Sequence, residues 1–366
     1  MRITGVVGAR PNFMKISPIA EAIKKGARHE FALVHTGQHY DSSMSDVFFK
    51  DLGLPEPDIF LEAGSGSHAE QTAKVMLRFE EVIQKSKPDL VMVVGDVNST
   101  LACSLVAAKM RVKVAHVEAG LRSFDREMPE EINRVLTDAI SDLLFTTCDD
   151  ADKNLKREGI PEEKIRFVGN VMIDTLLHLK GRAEETGFSQ EMGLSRGEFA
   201  LLTLHRPRNV DIKDRLVNIL SALDRIRERI KIVWPLHPRA KSMMKEHGFY
   251  DSLKRKENML ITEPLGYLQF MNLMINAGLA MTDSGGIQEE TTVLNIPCLT
   301  IRDNTERPVT ITQGTNVLVG SDAGRLVSEA ENILDGKRKK GRTPKYWDGK
   351  AAGRITAALD SFDEGR

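Results

Sequence analysis

The sequence predicts an α/β protein made of two Rossmann-like, doubly wound domains facing each other across a cleft. Three observations carry that reading. Short, almost continuously apolar runs alternate with segments of helical periodicity, the alternation recurs in both halves, and 366 residues are too many for one ordinary core. Strands that are apolar on both faces suit a parallel sheet covered by helices on both sides.

In the first half, strands are expected over residues 2–7, 31–35, 90–94, 112–117 and 143–146. In the second they are expected over 199–203, 232–235, 259–261, 279–281, 297–301 and 317–319. Weak periodicity and several glycines near 186–197 place the division there, giving domains 1–185 and 186–345. The apolar fraction of 41% and charged fraction of 28% are those of a soluble globular chain, and a net charge of −1 exerts no pull towards nucleic acid or membrane. No apolar run has the length of a bilayer span. Cys103, Cys148 and Cys298 sit in apolar segments as buried free thiols of a reducing cytoplasm. Nine histidines occur without metal-ligand spacing, so no metal is expected. The basic run 337–342 reads as a solvated loop.

The stretch Asp283-Ser284-Gly285-Gly286-Ile287-Gln288-Glu289-Glu290 follows an apolar strand and opens a helix. Unpaired backbone N–H groups at such a start, bare of side chains at the glycines, favour a phosphate; an Asp or Ser N-cap is the plain alternative. Arg302 and Arg307 follow the next strand, at the sheet edge where open α/β proteins bind ligands. Gly8-Ala9-Arg10-Pro11-Asn12-Phe13-Met14-Lys15 follows the first strand; it is neither a dinucleotide fingerprint nor a Walker loop, so no cofactor is expected. It puts Arg10 and Lys15 at that strand's carboxyl end, where alone they read as solvated loop cations. Thr36-Gly37-Gln38-His39-Tyr40-Asp41 is a polar loop, and Gly64-Ser65-Gly66-Ser67-His68 reads as a flexible connection or lid.

Three acids stand out. Asp96 follows a buried strand and would serve either in a site or as a cap near Asn98. Glu118 comes directly after the strand of His116 and Val117, among small residues. Glu130 shares a helix face with Asn133 and Arg134, with an apolar stripe of Ile132, Val135, Leu136, Ala139 and Ile140 behind it. In the second half, His205 and His237 occupy corresponding places after two strands, and Phe270 is either core or a flank for a base.

Taken together, the stretches 8–15, 95–96, 116–122, 129–134, 283–290 and 302–308 resemble the non-hydrolysing UDP-N-acetylglucosamine 2-epimerases, from the first strand to about residue 335. The resemblance implies the glycosyltransferase-B architecture, a C-terminal helix within 346–366 crossing back to the first domain, and a homodimer. It implies that Ser284, Gly285 and Gly286 hold the diphosphate with Arg10 and His205. Glu290 would take the ribose hydroxyls, Phe270 would lie near the uracil and Arg307 near the sugar. Asp96, Glu118 and Glu130 match the family's catalytic carboxylates, with His205 beside them; Lys15, Arg134 and His237 complete the substrate-binding set. UDP would leave by elimination to a 2-acetamidoglucal and add back after inversion at C2. The stretches 8–13 and 36–41 look closer to a subgroup that includes epimerases of UDP-2,3-diacetamido-glucuronate. UDP-N-acetylglucosamine is the preferred substrate, with that uronate or a glycosyltransferase reaction as the alternatives. An aspartate in place of Gly285 is expected to weaken UDP binding while leaving the protein folded.

Overall fold

Every residue of Leu90–Val94 is buried, as a strand covered on both faces must be. It is β4 of a parallel sheet that also holds β1 (Arg2–Val7), β2 (Glu30–His35), β3 (Ile59–Phe60), β5 (Lys113–Ala119), β6 (Leu143–Thr146) and β7 (Ile165–Phe167). Among the described residues the order is β3-β2-β1-β4-β5-β6-β7, all parallel. The computed structural model describes residues 1–37 and 56–365; Gln38, His39, Tyr40 and Asp41 lie outside them, as does the side chain of Arg10.

The chain divides into two units, Met1–His178 with Lys345–Arg366, and Leu179–Pro344. Hydrogen bonds explain why the division falls inside the helix Val171–Glu185. Its first turns belong to the first unit, where Thr175 donates to the Met14 carbonyl and Asp174 caps the amides of Ala351 and Ala352 at 3.1 and 2.7 Å. Its last turn belongs to the second, since the Ala183 carbonyl accepts from Asn272. The helix Ala351–Glu364 starts on Asp174 and lies along the helix Arg10–Gly26, within the first unit.

In the first unit Val91, Val93, Phe79, Val75 and Val106 pack β4 against the helices His68–Ser86 and Asn98–Lys109. The stretch 64–68 is a connection, as expected, and it ends as the start of the helix His68–Ser86. Ser67 accepts from the Glu70 amide at 3.3 Å and Glu70 reaches back to the Ser67 amide, a capping box.

The second unit has its own parallel sheet of β8 (Phe199–Thr203), β9 (Lys231–Pro235), β10 (Met259–Thr262), β11 (Leu279–Thr282), β12 (Cys298–Thr300) and β13 (Asn316–Leu318). Their order is β10-β9-β8-β11-β12-β13. Its core runs through Leu202, Trp234, Met281 and Leu299. All three cysteines are free and buried. The basic run is not wholly solvated: Lys339 donates to the carbonyls of Ile311 and Asn316, and burial lowers its pKa.

In each sheet the strand order reverses at one place, between β1 and β4 and again between β8 and β11. The segments leaving the carboxyl ends of these strands are the ones an open α/β sheet offers to a ligand.

Candidate active site

At the first reversal, Gly8 and Ala9 give their amides to Asn12 Oδ1 at 3.3 and 2.9 Å, turning the chain directly into the helix Arg10–Gly26. Asn12 Nδ2 donates to the Val94 carbonyl, tying that start to the end of β4. Lys15 is therefore helical, not on a loop. It is buried and forms an ion pair with Glu118, itself only 4% exposed. The solvated reading of Lys15 fails because a buried carboxylate stands opposite it.

Glu118 lies inside β5 rather than after it. The pairing with β6 shifts register between Val117 and Ala119, and Glu118 has φ 74°. That left-handed geometry costs a non-glycine residue about 1–3 kcal/mol, and it re-aims the side chain out of the strand's alternation. Gly95 sits against the pair: a Cβ there would stand 3.1 Å from Lys15 Nζ and 3.5 Å from Glu118 Oε2. Its own φ of 70° is one that only glycine adopts freely.

Asp96 comes next. It is not a cap; the helix Asn98–Lys109 has Val97 as its N-cap with no side-chain bond. Asp96 instead pairs with Arg134 Nη1 at 3.2 Å, while its carbonyl accepts from Asn133 Nδ2 at 2.9 Å. Both partners come from the helix Pro129–Ile140, whose first turn carries the half-buried Glu130. The edge around Gly95 thus gathers Lys15, Glu118, Asp96 and the helix bearing Glu130.

That helix is inside out. Glu131, Asn133, Arg134, Thr137 and Asp138 are buried, whereas Ile132, Val135 and Leu136 are 41%, 38% and 47% exposed. Glu131 explains part of it. It accepts from the Ser123 amide and hydroxyl and the Phe124 amide at 2.8–3.0 Å, and pairs with Arg134 at 2.9 Å.

At the second reversal, Asp283 is fully buried and caps no helix of its own. Its carboxylate accepts from the amides of His205 and Arg206 and from Asn209 Nδ2, and pairs with His205 Nδ1 at 3.0 Å. Burial pushes its pKa up, but the facing His205 and these donors outweigh that and hold it low. The His237 ring lies 5.5 Å from that of His205, and its Nδ1 accepts from the Arg239 amide. Burial, then the neighbouring His205, lower the His237 pKa.

Ser284 is the N-cap of the helix Gly285–Leu294 but makes no side-chain cap, so the first-turn amides keep their donors for a ligand. The two glycines differ. A Cβ on Gly285 would stand 2.5 Å from Arg307 Nη1 and 2.9 Å from Glu306 Oε1, whereas one on Gly286 meets nothing within 4 Å. Gly286 is the open one. Arg307 forms the wall behind Gly285, bonded through Nε to Glu289 at 2.7 Å and paired with Glu306, which Arg302 also meets at 2.7 Å. Phe270 is half-buried rather than core, on the helix Tyr267–Asn276. Glu290 is buried and accepts from Tyr267 Oη at 2.8 Å; burial raises its pKa to about 7 despite that bond. Among the described residues no cluster of His, Cys, Asp or Glu is arranged to hold a metal ion, and no helix is long and apolar enough to cross a membrane.

The family model for UDP-N-acetylglucosamine 2-epimerase matches residues 21–360. The chain belongs to the UDP-N-acetylglucosamine 2-epimerase family. The UDP-N-acetylglucosamine 2-epimerase of Methanocaldococcus jannaschii is 46% identical over 365 residues, 98% of this chain and 99% of that protein. The UDP-2,3-diacetamido-2,3-dideoxy-D-glucuronate 2-epimerase of Pseudomonas aeruginosa is 42% identical over 363 residues, 98% and 99% of the two chains. The fold is also similar to the crystal structure of the M. jannaschii UDP-GlcNAc 2-epimerase in complex with UDP-GlcNAc and UDP. The TM-score is 0.92 at 46% identity, covering 99% of this chain and 100% of that one.

Within this epimerase fold, several site residues carry no strong sequence signal. Tyr267 and Asp138 act through bonds that span 23 and 22 residues, which periodicity cannot reveal. Asp138 was nevertheless findable as a charged residue on a helix face that also holds Arg134 and Thr137.

Proposed function

We propose that this chain interconverts UDP-N-acetylglucosamine and UDP-N-acetylmannosamine. The observation that carries the reading is Glu118, a buried carboxylate held at φ 74° and paired with Lys15, one residue-step of Gly95 away from Asp96. Strained, desolvated acids at a strand end are costly to keep and suit proton transfer. In the proposed reaction a carboxylate of the set Asp96, Glu118 and Glu130 takes the proton from C2 as the C1–O bond to UDP breaks, leaving a 2-acetamidoglucal. Proton return to the other face of C2 and re-addition of UDP at C1 give the epimer. Ser284, Gly285 and Gly286, with Arg10 and His205, hold the departing diphosphate, which carries the charge that develops as the bond breaks. Glu290 takes the ribose, Phe270 flanks the uracil, and Lys15, Arg134, His237 and Arg307 set the charge around the sugar and phosphates.

Incubation with UDP-N-acetylglucosamine alone in deuterated water tests this. The epimer should form with deuterium at C2 and nowhere else on the ring, because a carboxylic acid proton exchanges with solvent before its return. Turnover without deuterium at C2 would refute the mechanism. The 42% identity to the P. aeruginosa uronate epimerase supports a second reading, in which the sugar is UDP-2,3-diacetamido-glucuronate. Rates on the two nucleotide sugars decide between them.

The same proposal includes a homodimer and a cytoplasmic site of action. Buried free cysteines support the second. The dimer is supported by the inverted helix Pro129–Ile140, whose apolar Ile132, Val135 and Leu136 are exposed. A second copy presenting the same face would cover this patch isologously. Leu136→Glu should then sediment as a monomer where the parent is a dimer.

A further inference from the structure

His116 is fully buried on β5, and each of its ring nitrogens faces an oxygen. Nδ1 lies 2.6 Å from Asp138 Oδ1, and Nε2 lies 2.8 Å from the Gly95 carbonyl. A carbonyl oxygen only accepts, so Nε2 must carry a proton. Asp138 is held ionised by its surroundings. Its other oxygen pairs with Arg122 at 2.7 Å and accepts from the Gly120 amide at 3.0 Å, so the oxygen facing Nδ1 is an acceptor as well. Both ring nitrogens are therefore donors.

We propose that His116 is an imidazolium that acts as a positioning residue, setting the Gly95–Asp96 turn in register with the Glu118 bulge. This rests on the epimerase reading above for the roles of Asp96 and Glu118. Through Nε2 the ring fixes the carbonyl of Gly95, whose amide is already bonded to the Val117 carbonyl at 3.1 Å. Through Nδ1 it fixes Asp138, which holds the amide of Gly120, two residues beyond Glu118. One buried ring thus spans both acids.

The local charges agree. Arg122 also meets Glu158 through Nε and Nη2 at 2.8 and 2.6 Å, so Arg122, Asp138 and Glu158 alone would leave one unbalanced negative charge. A charged His116 closes the set at two cations and two anions. The other charged groups around it pair among themselves: Lys15 with Glu118 from the first helix, and Arg134 with Asp96 and Glu131 from the helix Pro129–Ile140. Burial of Asp138 would raise its pKa, and the facing His116 and Arg122 instead hold it low.

The test uses nitrogen NMR of the intact protein labelled at histidine, with kinetics of His116→Gln. Both ring nitrogens of His116 should give protonated signals at pH 8, where a solvent-exposed histidine is neutral. A neutral tautomer there overturns the proposal. In His116→Gln, kcat should fall about a hundredfold, as a small misplacement of catalytic groups produces, while KM and UDP affinity stay near the parent values. A parental kcat overturns it as well, because a merely structural ring would change the melting temperature alone. Should the variant not fold, the nitrogen spectrum of the parent decides. If the chain turned over no UDP-sugar, the epimerase reading would fall while the spectrum still reported the state of His116.

Discussion

The two glycines of the proposed phosphate turn make opposite predictions, although they are neighbours in sequence. An aspartate at Gly286 enters open space, so the protein should fold, and it places a negative charge against the helix start where the diphosphate is proposed to sit. Two unit charges about 4 Å apart near a protein surface repel by roughly 4 kcal/mol at an effective dielectric of about 20. Screening by solvent at this half-exposed position reduces that to about 2–3 kcal/mol, or a 30- to 150-fold weaker Kd at about 1.4 kcal/mol per decade. Gly286→Ala should leave the melting temperature equal or higher, since alanine is worth about 0.5–1 kcal/mol over glycine in a helix. Gly285→Ala should lower it, because the methyl must displace the buried Arg307–Glu306 pair. Calorimetric titration of UDP at fixed ionic strength, with a thermal melt of each variant, reads both quantities. Parental UDP affinity in Gly286→Asp would remove the turn from the site. The expectation that Gly285→Asp spares the fold does not hold up against this geometry; the structure moves the clean test one residue on.

Three further outcomes follow from the site. Glu118→Gln keeps the shape of the side chain and removes its proton transfer, so kcat for epimerisation should drop at least about a hundredfold, read by proton NMR of the sugar products. The raised pKa of Glu290, about 7 in the folded state against 4.5 as its ordinary value, means the folded protein holds an extra proton between those limits. Stability should therefore decline as pH rises from about 4.5 to 7, by up to about 3 kcal/mol. Glu290→Gln should erase that slope in denaturant melts, being more stable than the parent at pH 8 and not at pH 4.5. Because ribose hydroxyls donate best to an ionised carboxylate, UDP affinity of the parent should rise from pH 6 to pH 8 and stay flat in the same variant.

Much of this was legible because parallel sheets write themselves plainly. The strands at 2–7, 90–94, 143–146 and 199–203 coincide with the observed ones, since a strand buried on both faces is apolar over most of its length. β3 and β7 were not, being an edge pair of two residues and a three-residue strand interrupted by the exposed Arg166. The helix start at 284–286 was legible from its glycines, but which glycine is open depends on Arg307, a side chain folded back from the next loop. The helix Pro129–Ile140 shows the limit of periodicity. Its pattern identifies two faces without saying which is inside, and here the polar face is buried because Asp96, Ser123 and His116 need partners there.

The bulge at Glu118 allows function and stability to be separated in one experiment. Removing Glu118 alone leaves Lys15 buried and unpaired, which costs about 3–5 kcal/mol, and relief of the strained φ in Glu118→Gly returns only about 1–3 kcal/mol. The single variant should therefore be less stable than the parent. Replacing both members, Glu118→Gly with Lys15→Met, removes the desolvation of two charges together with the strain. Replacement of a buried ion pair by apolar groups is neutral or favourable by about 1–4 kcal/mol, and glycine's looser unfolded chain takes back only about 0.5–1 kcal/mol. The double variant should melt at or above the parent while lacking epimerase activity. Urea denaturation of the parent, the single and the double variant measures this directly. If the double variant proved less stable than Glu118→Gly alone, the pair would be holding the fold together, and the case that its strain is kept for catalysis would fail.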